Sequence, residues 1–200
     1  MNKLIAITGG IGAGKSVVSR ILTSMGYDVY DTDSRAKSLM DSSELIKARL
    51  VDNFGEKVVV DGSIDRKLLA QIVFSDPDKL ARLNKMVHGA VIDDVKRYCS
   101  VANPKDNIVF VETAILYQSG LDSLVDEVWE VTAPEDVRIE RVVRRNNMSP
   151  GEVRARIASQ TAERIERTIP VVHTLFNDDV TPLLPQVLVR LDSIRSLALR

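Results

Sequence analysis

The stretch Gly9-Gly10-Ile11-Gly12-Ala13-Gly14-Lys15-Ser16 packs four glycines, a lysine and a serine into eight consecutive positions. It matches the pattern G-x-x-x-x-G-K-[ST] at every fixed position. Glycines let backbone N–H groups converge on phosphate oxygens without interference from a Cβ. The helix that starts at Lys15 adds the positive end of its dipole. The lysine reaches the β- and γ-phosphates, and the serine hydroxyl is a ligand for Mg²⁺. The expected nucleotide-binding set is Gly10, Ile11, Gly12, Ala13, Gly14, Lys15, Ser16 and Val17, with ATP and Mg²⁺ as cofactors and Ser16 as the metal ligand. A glycine-rich turn without a ligand is the competing reading. The apolar run Leu4–Ile7 before the loop and the amphipathic pattern after it both favour phosphate binding.

Other residues separate the reactions such a loop can serve. A guanine-reading N-K-x-D motif is missing: Asn84-Lys85-Met86-Val87 lacks the aspartate and falls within a helical pattern. Asp52-Asn53-Phe54-Gly55 has the form D-x-x-G but follows a helical pattern as well. Val109-Phe110-Val111-Glu112 ends a strand in a carboxylate, as a motor ATPase requires, yet no partner-binding module accompanies it. A small-molecule kinase needs a group to orient the acceptor and cations to neutralise the transferring phosphoryl. Asp31 and Asp33 close the second strand, where ligands bind in open α/β sheets. Either one is also a natural cap for the next helix; Asp33 is the preferred acceptor-orienting group or general base. Arg138, Arg141 and Arg145 recur at i, i+3 and i+7, one helical face, with Arg144 adjacent. A solvated charged face is the alternative for them. Eight arginines fall between Arg138 and Arg167. His88 and His173 stand alone, without metal-ligand spacing, and read as structural.

These residues need a frame that brings strand ends together. Leu4–Ile7, Tyr27–Tyr30, Ile108–Val111 and Val128–Thr132 read as buried strands, and Val171–Phe176 is a last apolar segment. Helices are expected over Lys15–Met25, from Asp33 to about Val51, Lys67–Phe74, Asp78–Tyr98, Glu135–Arg145, Ser149–Arg167 and Thr181–Leu199. Val58–Val60 reads as one short strand stopped by Asp61-Gly62. Alternating strands and helices specify an α/β fold, a three-layer phosphate-loop arrangement with a central parallel sheet. One domain is expected over residues 1–200, with helical insertions at about 55–98 and a lid-like region at about 138–167.

Composition narrows the partners. Lysine and arginine total 27 against 28 aspartate and glutamate, a net charge of -1, so no global basic field points to nucleic acid. No apolar run approaches the ~20 residues of a membrane span, and no secretory signal precedes Leu4. Cys99 has no second cysteine to pair with, which suits a reducing cytoplasm.

The ordered series of motifs resembles the dephospho-coenzyme A kinase family. Thr8–Ser16 is similar to T-G-G-I-G-S-G-K-S, and Val29-Tyr30-Asp31-Thr32-Asp33 to V-I-D-A-D. Asn53-Phe54-Gly55, Asp61–Arg66, Ile72-Val73-Phe74, Leu83–His88 and Arg156-Ile157-Ala158-Ser159-Gln160 follow in the family's order, and Asn177 matches its late Asn. Val17 replaces a usual Thr, Glu112–Leu116 replaces D-I-P-L-L, Gly89 replaces a Pro, Arg138 replaces a Gln and Asn146 an Asp. The resemblance implies transfer of the γ-phosphate of ATP to the 3′-hydroxyl of dephospho-coenzyme A. Lys15, Asp33 and Arg141 would be the catalytic set, and the insertion would receive the acceptor. Another nucleoside or nucleotide kinase is the alternative, and after it a nucleotide-switch protein.

Overall fold

A computed structural model describes residues 2–162 and 171–198. The strands are β1 (Lys3–Thr8), β2 (Asp28–Asp31), β3 (Val59–Val60), β4 (Ser63–Ile64), β5 (Ile108–Glu112), β6 (Glu127–Thr132) and β7 (Val172–Phe176). The α-helices are α1 (Lys15–Ser24), α2 (Thr32–Ser42), α3 (Glu44–Phe54), α4 (Arg66–Phe74), α5 (Pro77–Val101), α6 (Leu116–Ser119), α7 (Glu135–Asn146), α8 (Pro150–Ala162) and α9 (Leu183–Ala198). Residues group into two compact units, 2–30 with the described part of 102–200, and 31–101.

The first unit is built on a five-stranded sheet in the order β2-β5-β1-β6-β7. β1 pairs in parallel with β5 and β6, and β6 with β7. The register sets Ile5 beside Phe110 and Trp129 beside His173. Strands covered on both faces must be apolar throughout, and Leu4–Ile7 and Ile108–Val111 are buried along their whole length. Ile5, Ile7, Phe110, Trp129 and Leu175 pack with Val18 and Leu22 of α1 and with Val187 and Leu191 of α9. Phe110 and Trp129, both fully buried, meet with ring centroids 5.1 Å apart. Parallel strands joined through helices bring all their carboxyl ends to one edge, where the glycine loop follows β1.

The second unit has its own apolar centre. Ile46 and Leu50 of α3, Val58, and Leu69 and Val73 of α4 pack there with Leu80, Leu83 and Met86 of α5. Buried Asp94 on α5 takes both Nε (3.0 Å) and Nη2 (2.6 Å) of Arg35 on α2.

The α/β class, the parallel sheet and most of the helices are as the sequence predicts. Four local readings change. The helix expected from Asp33 to Val51 is two helices, broken at Ser43, whose extended backbone and hydroxyl cap α3 by accepting from Ile46 N–H at 3.3 Å. Val59–Val60 is half of a β3–β4 hairpin turned by Asp61-Gly62, both at positive φ, 50° and 72°. Val172–Phe176 is a full edge strand. The last helix starts at Leu183, because Asp178 accepts from the Thr181 N–H at 2.7 Å and holds that residue in a turn. The expected helix ends beyond Ala162 and Ala198 lie outside the described residues. No helix among the described residues is long and apolar enough to cross a membrane.

Candidate functional site

The loop leaves β1 at Thr8 and enters α1 at Lys15. Its backbone is shaped by what packs on it. Gly12, at φ 78°, lies against the Arg138 carbonyl and Val142, where a Cβ would not fit. A Cβ at Gly10 would meet the Arg138 guanidinium, the movable end of a side chain. Ala13 N–H donates to the Gly10 carbonyl at 3.1 Å and Val17 N–H to the Gly14 carbonyl at 2.9 Å. Ile11 N–H donates to Gln160 Oε1 at 2.8 Å. The amides of Ile11, Ala13 and Val17 thus already have protein acceptors.

Lys15 Nζ donates to the Gly9 carbonyl at 2.9 Å, so its ammonium is held over the loop that carries it. Ser16 is exposed in the first turn of α1. A hydroxyl oxygen is a hard donor suited to Mg²⁺, which keeps several waters and takes its other ligands from phosphates, so one protein oxygen fits such an ion. Among the described residues no group of three His, Cys, Asp or Glu side chains forms a metal cage. Glu112, the carboxylate at the end of β5, accepts from Ser19 Oγ at 2.6 Å.

The arginine face divides. Arg138 Nε donates to the Ile11 carbonyl at 2.9 Å, and burial pushes its guanidinium below the ordinary arginine value, with Glu135 opposing. Arg141 donates to the Gly12 carbonyl at 3.4 Å and pairs with Asp179. Arg144 and Arg145 are exposed. Two of the four therefore rest on the loop, and two form the solvated face. Asn177, in the turn after β7, clamps the far side: its Nδ2 donates to the Ala13 carbonyl and its N–H to the Thr132 carbonyl, both at 2.8 Å.

A cavity of about 210 Å³ opens beside the loop. Gly9, Gly10, Gln118, Glu130, Arg138 and Gln160 are among the residues lining it.

In the second unit the two aspartates separate. Asp31 is the cap of α2: Oδ1 accepts from the N–H of Asp33 at 3.0 Å and of Ser34 at 3.3 Å, and Oδ2 from Ser34 Oγ at 2.6 Å. Asp33 is exposed in the first turn and is not the cap. His88 is half-buried on α5, and burial pushes its imidazole pKa down. His173 lies 3.2 Å from buried Glu127, which also accepts from Lys3 Nζ and Trp129 Nε1.

Gln160 and Asn177 are the loop contacts for which sequence reasoning assigned no role. The motif match placed both in family order, but no local periodicity says that they touch residues 149 and 164 positions away.

The dephospho-CoA kinase family model matches residues 3–180. A dephospho-CoA kinase of Porphyromonas gingivalis is 39% identical over 192 residues, 96% of this chain and 94% of that one. A solved structure of a Thermus thermophilus protein aligns with TM-score 0.73 at 32% identity, covering 98% of this chain and 97% of the other. A dephospho-CoA kinase structure from Campylobacter jejuni shares the fold at TM-score 0.65 and 20% identity, covering 98% of each chain.

Proposed function

The chain belongs to the dephospho-coenzyme A kinase family, and on that premise we propose that it transfers the γ-phosphate of ATP to the 3′-hydroxyl of the ribose of dephospho-coenzyme A, giving coenzyme A and ADP. The observation that carries this reading is the complete phosphate loop, with Lys15 held over its carbonyls, in a chain whose family match spans residues 3–180.

Loop amides and Lys15 hold the β- and γ-phosphates of ATP. Ser16 ligates Mg²⁺, which supplies neutralising charge to the phosphates when bound. Asp33 accepts a hydrogen bond from the 3′-hydroxyl and aligns its oxygen with the γ-phosphorus. As the new O–P bond forms and the bond to the β-phosphate oxygen breaks, the hydroxyl proton passes toward Asp33 and ADP leaves. Arg141 offsets charge on the transferring group. The exposed carboxylate of Asp33, with the capping duty on Asp31, supports this division of roles. The insertion at about 55–98 receives the acceptor, and the region at about 138–167 acts as a lid that limits hydrolysis. We place this chemistry in the cytoplasm, where the single thiol Cys99 would stay reduced.

The test is product identification. ATP labelled at the γ-phosphate, incubated with the protein, Mg²⁺ and dephospho-coenzyme A, should yield label in a 3′-phosphomonoester of the acceptor. Label found only in inorganic phosphate, or on another hydroxyl, would contradict the assignment.

A further inference from the structure

Ile11 is the third residue of the phosphate loop, and glycines flank it on both sides. Such a residue should be free to turn, because Gly10 and Gly12 impose little on the chain. Three contacts remove that freedom, all of them from α7 and α8. Its N–H belongs to the Gly10–Ile11 peptide and is held by Gln160 Oε1 of α8 at 2.8 Å. Its carbonyl belongs to the Ile11–Gly12 peptide and is held by Arg138 Nε of α7 at 2.9 Å. Its side chain packs on the apolar cluster of Ile139, Val142, Val153 and Ile157, which joins α7 to α8. A peptide unit is planar, so a hydrogen bond to each unit restrains the direction in which its N–H or carbonyl points. The two peptides on either side of Ile11 are therefore each restrained by a side chain from a different helix.

We propose that Ile11 is the joint coupling nucleotide at the phosphate loop to helix α8, with Gln160 as the positioning residue that makes the joint. Gln160 touches no reacting atom. It restrains the Gly10–Ile11 peptide and thereby holds the loop in the form that receives phosphates. A loop that leaves this form part of the time binds with an affinity reduced by the fraction of competent molecules. Linkage is reciprocal: if α8 favours the binding-competent loop, nucleotide on the loop favours the docked α8 by the same factor. The inference rests on the reading of the loop as an ATP site and is independent of which acceptor is used.

The test is hydrogen exchange on the full chain with and without a non-hydrolysable ATP analogue and Mg²⁺, together with steady-state kinetics. Gln160→Met keeps the length of the side chain and removes the acceptor. In the wild type the analogue should slow exchange both at residues 12–16 and along α8. In Gln160→Met the slowing should persist at 12–16 and disappear from α8. Loss of one hydrogen bond of ordinary net strength corresponds to roughly a two- to tenfold rise in KM for ATP, with kcat and acceptor KM within about twofold of wild type. Ile11→Ala, which empties the apolar contact and keeps both backbone bonds, should weaken the α8 response in the same direction. Undiminished protection of α8 in Gln160→Met overturns the coupling. So does a fall in Tm with ATP KM unmoved, the mark of mere packing. Wild-type protection at 12–16 without any at α8 overturns the coupling alone, whereas no protection at 12–16 overturns the nucleotide reading and the coupling with it.

Discussion

Replacing Asp33 by Asn tests the acceptor chemistry at one atom. Asp33 is exposed in the first turn of α2 and does not cap it. Asn keeps the volume and one oxygen, so the substitution removes a charge and a proton acceptor and little else. The stability cost is limited to the lost attraction between a carboxylate and the helix N-terminus, about 0.3–1 kcal/mol. The kinetic cost is that of a lost general base, about 10²–10⁴-fold in kcat, or roughly 3–5 kcal/mol of barrier. Asp31 supplies the control, because its carboxylate takes the N–H groups of Asp33 and Ser34. Asp31→Ala removes that cap and should cost about 0.5–2 kcal/mol of stability. In a chain of this length each kcal/mol lowers Tm by about 2–4 °C. Transfer rate and Tm measured on both variants should therefore move in opposite patterns, with rate lost in Asp33→Asn and Tm lost in Asp31→Ala. A normal transfer rate in Asp33→Asn would refute the reasoning and return the role to Asp31 or Glu112.

The remaining predictions concern the loop, the arginine face and alkaline stability. Lys15→Ala should remain folded, since the Gly9 and Gly10 carbonyls that the ammonium bonds can be served by water, and should lose at least ~10²–10³ in kcat as one electrostatic donor is removed; wild-type turnover by the folded variant would sink the assignment. Arg141→Ala gives up a half-exposed pair with Asp179 worth about 0–1 kcal/mol, and should lower kcat more than it raises KM for ATP if Arg141 acts on the transition state; a rise confined to KM would make it a uniform binding contact. Tyr27, whose hydroxyl bonds Asp106 at 2.6 Å and Arg195 at 2.7 Å, is pushed up from 10.0 to about 12, first by burial and then by the Asp106 carboxylate. The folded chain thus holds this proton more tightly than the unfolded one. The contribution is complete below pH ~10 and is lost as pH rises toward ~12. Urea midpoints should fall across that window in the wild type and fall less in Tyr27→Phe, and identical slopes would contradict it.

The parts of this fold that were legible in the sequence are those encoded locally. The glycine loop is contiguous, and its residue types state their chemistry. Ile108–Val111 is an unbroken, short apolar run rich in β-branched residues, which marks a buried strand. Two further local signals were present and went unread: Ser43 followed by Glu44, a helix cap that splits α2 from α3, and Asp61-Gly62, which turns a hairpin as readily as it stops a strand. Contacts over long separations leave no such mark. Gln160 and Arg138 reach Ile11 across 149 and 127 residues, and nothing in the spacing of either helix names that partner. The regular spacing of Arg138, Arg141 and Arg145 was itself ambiguous. Only their packing shows that the first two lie on the loop and the third in solvent.

ADP release is the most direct measure of the central claim. With saturating ATP and Mg²⁺, release should be slow alone and should rise steeply and saturably on addition of dephospho-coenzyme A. Adenosine and other nucleotides should not substitute. Release that is independent of dephospho-coenzyme A, or that another nucleoside or nucleotide drives equally well, would contradict the account, and a preference for guanine over adenine nucleotides would point instead to a nucleotide switch.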